Sequence, residues 1–321
     1  MIYFNDSDFE NVTLNWNELL NVIKDSSEIL EDGDFSQPVK PYLRFKDLSN
    51  RIIAMPGYIG GKHETAGIKW IASFPSNNKL GLKRANSVTI LNDTDTGVPY
   101  AIFNTSVVSS VRTAAVSGSV VQKYLEDRED LSQMNITIIG VGPIGLMHLA
   151  MLRELYEDRI KNIFVYDLNE NLLKELVNLN IPNDKITVLN SWDESISSSD
   201  IFITCTVSSN RYIDKSPKKG SLHLNVSLRD YKLEFFNYVD IIVVDSWEEV
   251  NRENTDIENM HIHKSLHKED TLNIYEYLFH ESLKGDNKTI MFNPMGMAIY
   301  DLSISRYLFH VFQTQNIGQR L

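Results

Sequence analysis

The run ITIIGVGPIGLMHLAML constrains this chain more than any other segment. An apolar strand leads into Gly140, Gly142 and Gly145, with Pro143 and Ile144 between the last two, and an apolar helical run follows. In a G-x-G-x-x-G turn each glycine has a task. The first permits the tight turn, the second lets the backbone approach a pyrophosphate, and the third lets helix and strand pack closely, while the helix N-terminus offers N–H donors and a favourable dipole. A second strand, IFVYD, ends in Asp167, 22 residues beyond Gly145, where an acid accepts a ribose 2′-hydroxyl. The unit therefore predicts a dinucleotide site. Leu168 and Asn169 follow the acid, with no arginine to receive a 2′-phosphate, which favours NAD over NADP.

Around this unit β and α patterns alternate. NITIIG, IFVYD, KITVLN, IFITCT, LHLNVS and DIIVVD read as apolar strands joined by right-handed crossovers, hence a parallel sheet. Upstream the pattern differs. After IYF and a helix around Leu14 to Leu30, ended by Asp32 and Gly33, come the β-like runs PYLRF, RIIAMP, GIKWIASF, SVTILND and PYAIFN, with NDTDTG as a hairpin turn. Strands in succession imply a mostly antiparallel sheet. From Ser106 a long helix rich in small residues is placed to bridge two domains, and the strand TIMFN leads through NPMG to an amphipathic helix near Ala298 to Thr314 that is expected to return to the first. The expected fold is α/β: a Rossmann NAD-binding domain over 112–294, and an α+β substrate-binding and dimerisation domain from 1–111 and 295–321.

With 321 residues there is room for about two domains. A net charge of -12 repels nucleic acid and anionic membrane, so an anionic ligand needs locally placed cations. The lone Cys205 leaves no intramolecular disulfide or cysteine-based zinc site, which suits a reducing compartment, and within IFITCTV it reads as a small buried hydrophobe. MIYFNDSDFE lacks a basic segment followed by an apolar one, and no run approaches the ~20 apolar residues of a membrane span. These features lead to the expectation of a cytoplasmic protein without nucleic-acid or membrane partners. No metal site is expected: His63 in GGKHETAG reads as a loop histidine without a second ligand, and His261, His263 and His267 lie in a charged stretch that reads as surface.

Three cations stand out: Arg44 in KPYLR, Lys69 in GIKW and Arg112 in SSVRTAA, each inside an apolar or small-residue segment. A buried cation is costly unless paired, so a carboxylate ligand would explain them. A structural salt bridge or a snorkelling surface side chain explains any one of them alone.

Through GIKW, the N-D-x-x-T-G-x-P hairpin, RTAA, the glycine motif and the closing GMAIYD, the chain resembles the ornithine cyclodeaminase/mu-crystallin family over nearly its whole length. The segments KPYLR, RIIAMPGYIGG, GIKWIASFPSN, KRANSVTILND, SSVRTAAVS and NPMGMAIYD are similar to a branch that makes 2,3-diaminopropionate for siderophores. The resemblance implies that Arg44, Lys69 and Arg112 bind carboxylates, that Lys69 also favours loss of an amine proton, and that Asp230 in NVSLRDY is the catalytic acid-base group. It implies Thr206, Asn225 and Arg112 at the cofactor, and it leaves Arg84 as a further carboxylate or phosphate contact. Asp230 also lies just past the end of LHLNV, on the edge where open parallel sheets bind ligands. The family's usual Pro-Gly-Lys after this aspartate is missing, since Tyr231, Lys232 and Leu233 follow. The implied activity is NAD-dependent oxidation of an amino-acid-derived secondary amine; a cyclodeaminase or imino-acid reductase, and a binding protein without turnover, are the alternatives. A homodimer through the strand-rich domain is also implied, because an open sheet has edges and faces to cover.

Overall fold

The alternating runs of the first third of the chain pair into one sheet in the computed structural model, which describes residues 1–10, 12–128, 131–178, 185–280 and 287–321. In chain order the elements used below are β1 (Ile2–Asn5), α1 (Trp16–Asp32), β2 (Phe35–Ser36), β3 (Tyr42–Leu43), β4 (Arg51–Ile59), β5 (Thr65–Ser73), β6 (Ala85–Asn92), β7 (Pro99–Asn104) and α2 (Val107–Glu126). Then follow β8 (Met134–Ile139), α3 (Pro143–Tyr156), β9 (Ile160–Tyr166), α4 (Glu170–Asn178), β10 (Ile186–Val188), β11 (Ile201–Thr204), β12 (Leu222–Asn225), β13 (Ile241–Val244), α5 (Trp247–Val250) and α6 (Asp256–Lys264). The chain closes with β14 (Leu272–Asn273), α7 (Ile274–Phe279), β15 (Ile290–Asn293), α8 (Ala298–Thr314) and β16 (Gln319–Arg320). It divides into two units, Met1–Val116 with Gly296–Leu321, and Ser117–Met295. The expected cut at 111/112 and the observed one at 116/117 both fall inside α2, where a continuous helix has no turn chemistry to mark a boundary.

In the first unit the strand order is β16-β1-β7-β6-β5-β4-β2, with β3 also on β4. Among the described residues only β1 and β7 pair in parallel; the others are antiparallel. The β6–β7 hairpin is locally determined: Asp93 Oδ1 accepts from the Thr96 N–H (2.9 Å) and hydroxyl (2.6 Å), and the Gly97 N–H closes on the Asp93 carbonyl (2.9 Å). β4 and β5 pair along their full length, so Met55 lies opposite Lys69 while Ala54 lies opposite Trp70. The two-residue period therefore buries Met55, Ile59, Thr65 and Lys69 on one face, against which α8 packs, and leaves Trp70 44% exposed on the other. Expected strand PYLRF shrinks to Tyr42 and Leu43, because the chain then turns: Lys46 has φ 57 and Arg44 Nη1 donates to the Leu48 carbonyl (2.9 Å).

Helix α1 starts where Asn15 caps the Glu18 N–H (3.2 Å) and stops at Gly33, φ 77. It meets α8 through two buried hydroxyl pairs, Ser26 with Ser303 (2.9 Å) and Ser27 with Tyr300 (3.0 Å). Phe4 stacks on Phe103 (4.6 Å between centroids) and packs at a tilt against Phe312 (5.3 Å), which ties β1 and β7 to α8. Such pairs add roughly 0.5–1.5 kcal/mol each beyond area burial.

The second unit is a parallel sheet, β10-β9-β8-β11-β12-β15-β13-β14. The chain runs outward from β8 through β9 to β10, then returns to β11 on the other side. The order thus reverses between β8 and β11, the position at which open α/β sheets form a ligand crevice beyond their strand C-termini. Two apolar clusters fill its interior. One contains Ile139, Phe202, Ile213, Tyr231 and Phe235, the other Leu228, Ile242, Val244, Val250 and Ile257. No helix among the described residues is long and apolar enough to cross a membrane.

Candidate functional site

The glycine turn sits at the reversal point. Gly140 has φ 91, and a Cβ there would lie 2.8 Å from the Cys205 carbonyl; a Cβ at Gly145 would lie 2.0 Å from the Gly140 oxygen. A side chain at Gly140 would collide with the backbone just after β11, and one at Gly145 would push α3 away from the end of β8. Helix α3 begins with Pro143 after the N-cap Gly142, and no side chain caps it, so the N–H groups of its first turn, where Ile144 and Gly145 lie, are left for an anion. Asp167 orients against the turn: Oδ2 accepts from the Val141 N–H (2.9 Å) and Oδ1 from the Asn169 N–H (2.8 Å), leaving lone pairs for a ribose hydroxyl. This donor and acceptor set fits a dinucleotide.

Behind the turn lies a histidine that sequence reasoning missed. His148 is buried, its Nδ1 lies 2.8 Å from the Ile144 carbonyl and its Nε2 2.8 Å from Ser117 Oγ. Burial pushes its pKa down to about 4, so the ring is neutral and fastens the first turn of α3 to α2. Cys205 is half-buried rather than buried, because it follows the last paired residue of β11; its Sγ lies 3.9 Å from His148 Nδ1.

Asp230 occupies the loop after β12 with 0% exposure. Thr206 Oγ1 donates toward Oδ1 (2.7 Å) and Oδ2 (2.8 Å), and Ser227 Oγ donates to Oδ2 (2.5 Å). The buried Tyr212 hydroxyl lies beside the same oxygens without standard hydrogen-bond geometry. Burial raises the carboxyl pKa, and the hydroxyl donors offset that only in part, so it stays above the ordinary carboxylate range. A carboxyl raised this way is suited to exchanging protons. Thr206 and Asn225, expected at the cofactor, have side chains committed inside the protein: Thr206 to Asp230, and Asn225 through Nδ2 to Asn293 Oδ1 (2.9 Å) and Asp256 Oδ2 (3.0 Å) and through Oδ1 to the Leu228 N–H (3.0 Å).

In the first unit two of the three expected cations come together. Lys69 Nζ and Arg112 Nε each donate to the same oxygen, Asp301 Oδ1, at 2.9 Å, and Lys69 also donates to Ser109 Oγ (2.8 Å). All three ionised side chains are buried. Gly296 has φ 86, which favours glycine, and a Cβ there would lie 2.8 Å from Arg112 Nη1, so any side chain would also shift the guanidinium. Burial lowers the Lys69 pKa, Asp301 raises it and Arg112 lowers it again, leaving it at about 8. Sequence reasoning missed Asp301 as an anchor, although it closes the quoted GMAIYD. It also missed Lys40, the first residue of the quoted KPYLR, which is 3% exposed with Nζ donating to the Gly296 carbonyl (2.6 Å). Arg44 does not join the group as a buried cation: its short strand ends before it and it is exposed. Arg84 lies half-buried just before β6. His63 lies in the turn between β4 and β5, a loop histidine as expected, and is buried there, with burial lowering its pKa. No cluster of three or more metal-ligating side chains occurs among the described residues.

The profile of the ornithine cyclodeaminase/mu-crystallin family matches residues 7–316. N-((2S)-2-amino-2-carboxyethyl)-L-glutamate dehydrogenase of Staphylococcus aureus is 35% identical, over 100% of this chain and 98% of that protein. Alanine dehydrogenase of Archaeoglobus fulgidus is 26% identical, over 96% and 94%. Among solved structures, Thermococcus litoralis Delta(1)-pyrroline-2-carboxylate reductase in complex with NADH and L-proline superposes with a TM-score of 0.87 at 23% identity over 100% of both chains. An archaeal alanine dehydrogenase dimer with bound NAD gives 0.85 at 23%, over 100% of this chain and 98% of that one. These two likenesses speak for the fold. The family match over residues 7–316, together with the full-length relative, means that this chain belongs to the ornithine cyclodeaminase/mu-crystallin family.

Proposed function

We propose that the chain oxidatively cleaves N-(2-amino-2-carboxyethyl)-L-glutamate to 2,3-diaminopropionate and 2-oxoglutarate. At the coarser level it is an NAD-dependent oxidoreductase of its family acting on an amino-acid-derived substrate. The observation that carries the finer reading is the 35% identity over the full chain to the staphylococcal dehydrogenase of that name. The residues suit the substrate, which has three carboxylates and a secondary amine. Lys69 and Arg112, with Arg44, would bind carboxylates and fix the glutamate Cα–H, Arg112 by the bidentate geometry of its guanidinium. Lys69 would also lower the affinity of the amine for its proton. NAD, held by Gly140, Gly142, the first turn of α3 and Asp167, supplies the hydride acceptor when bound. The imine left after hydride loss adds water, and Asp230 would take the water proton and return one to the departing nitrogen.

Purified protein with this substrate and NAD should form NADH, with diaminopropionate and 2-oxoglutarate in equal amounts by mass spectrometry. NADH formation with ornithine, proline or alanine but not with this substrate would overturn the assignment in favour of another member of the family. The product would then feed a siderophore-type assembly in the cytoplasm. We further propose a homodimer through the outer face of the first sheet, where Ala54, Pro56, Tyr58, Ala66, Ile68 and Trp70 form an apolar surface. Sedimentation of Trp70→Glu as a monomer beside a dimeric wild type is the expected result.

A further inference from the structure

A second buried carboxylate braces the loop that carries Asp230. Asp256, the first residue of α6, has 0% exposure. Its Oδ2 accepts from the backbone N–H groups of Asp230 (3.1 Å) and Tyr231 (3.1 Å) and from Asn225 Nδ2 (3.0 Å); its Oδ1 accepts from Arg211 Nε (2.6 Å). All four partners are donors, which the ionised carboxylate accepts together, while burial raises its pKa to about 6 against the pull of these donors and of the Arg211 charge. Arg211 is fixed in turn by the Asn254 carbonyl (2.7 Å). The Asp256 N–H donates to the Leu228 carbonyl (2.8 Å), so this one residue grips both ends of the segment 228–231.

The segment needs a grip. Leu228 has φ 64, a conformation that residues other than glycine hold only where the surroundings over-determine it. Its side chain anchors in one apolar cluster while Tyr231 anchors in the other, and the Tyr231 hydroxyl lies 3.1 Å from His223 Nδ1. Asp230 points its carboxylate at Thr206 and Ser227, two short side chains that reach it only if the backbone is held in place. A misplacement of about 1 Å at a reacting group can cost on the order of 10²-fold in rate.

We propose that Asp256, paired with Arg211, is a positioning residue that holds Asp230 in its working geometry. The inference rests on Asp230 being the acid-base group of the proposed reaction. Two arms test it, one of which needs no substrate. In the first, amide exchange of peptides covering 225–232 is followed by mass spectrometry in wild type, Asp256→Asn and Arg211→Gln, with NAD affinity measured by fluorescence quenching. Exchange about 10-fold faster in that segment, with NAD affinity within about twofold of wild type, is expected. In the second arm, kcat and KM are measured for the same variants and for Asp230→Asn combined with Asp256→Asn. The expected result is a kcat lowered about 10-fold or more, with KM for NAD unchanged and less than about threefold further loss in the Asp230→Asn background.

Unchanged exchange in both variants overturns the proposal. So does a full additional loss from Asp256→Asn when Asp230 is already Asn, or a loss of NAD affinity that matches the loss of turnover. Should Asp256→Asn fail to fold, Arg211→Gln decides by the same criteria. Absence of wild-type turnover with the proposed substrate would refute the substrate assignment, while the exchange arm still decides whether Asp256 holds the Asp230 segment.

Discussion

Asp301 and Asp230 are both fully buried, and their environments drive them in opposite directions. Burial alone raises both carboxyls. At Asp301 the charges and hydrogen bonds of Arg112 and Lys69 outweigh burial and hold the carboxyl below its ordinary range. At Asp230 the donors are hydroxyls without charge, burial wins, and the carboxyl stays above that range. The difference supports the separate tasks proposed for them. A carboxylate locked as an anion by two cations organises charge, whereas one surrounded by neutral donors exchanges a proton readily.

The largest effect expected from breaking this contrast is at Asp301. Asp301→Asn leaves Lys69 and Arg112 buried without their anion, and loss of one partner from a buried pair costs about 3–5 kcal/mol. Chemical denaturation followed by circular dichroism measures it. A loss below about 1 kcal/mol, the range of exposed pairs, would show that the two cations do not depend on Asp301.

Next comes Asp230. Asp230→Asn keeps shape and some hydrogen bonding but removes the exchangeable proton, so kcat should fall roughly 10²-fold while NAD affinity changes little. Turnover within a few-fold of wild type would remove Asp230 from the mechanism. Loss of both turnover and NAD binding would give it a structural role instead.

A smaller effect is expected at Asp167, whose two oxygens already serve Val141 and Asn169. A 2′-phosphate would meet this carboxylate, so kcat/KM should favour NAD over NADP by about 10-fold or more, equivalent to roughly 1.4 kcal/mol. Equal rates with NADP would contradict the role of Asp167.

What the sequence made legible follows from the range of the physics involved. The glycine turn, its acid and the β6–β7 hairpin are local devices, and their residue types announce them. Burial of Lys69 and Arg112 could be suspected from apolar flanks, but their shared partner Asp301 lies 232 and 189 residues away and only the fold brings it in. Likewise β15 enters the sheet between β12 and β13, an order that apolar runs cannot encode. The brace from Asp256 to Asp230 crosses 26 residues and is made to backbone N–H groups, which leave no trace in residue type. Arg44 shows the converse error: an apolar neighbourhood suggested a buried strand, yet a turn at Lys46 exposes it.

The smallest expected effect sharpens the contrast from the side of the cations. Lys69 is faced by Asp301, Arg112 and Lys40; burial lowers its pKa, Asp301 raises it, and the two other cations lower it, for a net value of about 8. It is charged below that pH and neutral above it, so carboxylate binding should weaken as pH rises through 8. Between pH 7 and pH 8.5 the charged fraction falls from about nine-tenths to about one quarter, which predicts a KM increase of roughly fourfold for the carboxylate substrate. The substrate's own amines also titrate in the alkaline range, and Lys69→Arg separates the two causes, because a guanidinium keeps its charge throughout. In that variant the part of the KM rise due to Lys69 should vanish while the substrate's part remains. An unchanged KM profile in Lys69→Arg would assign the limb to the substrate and leave Lys69 as a structural partner of Asp301.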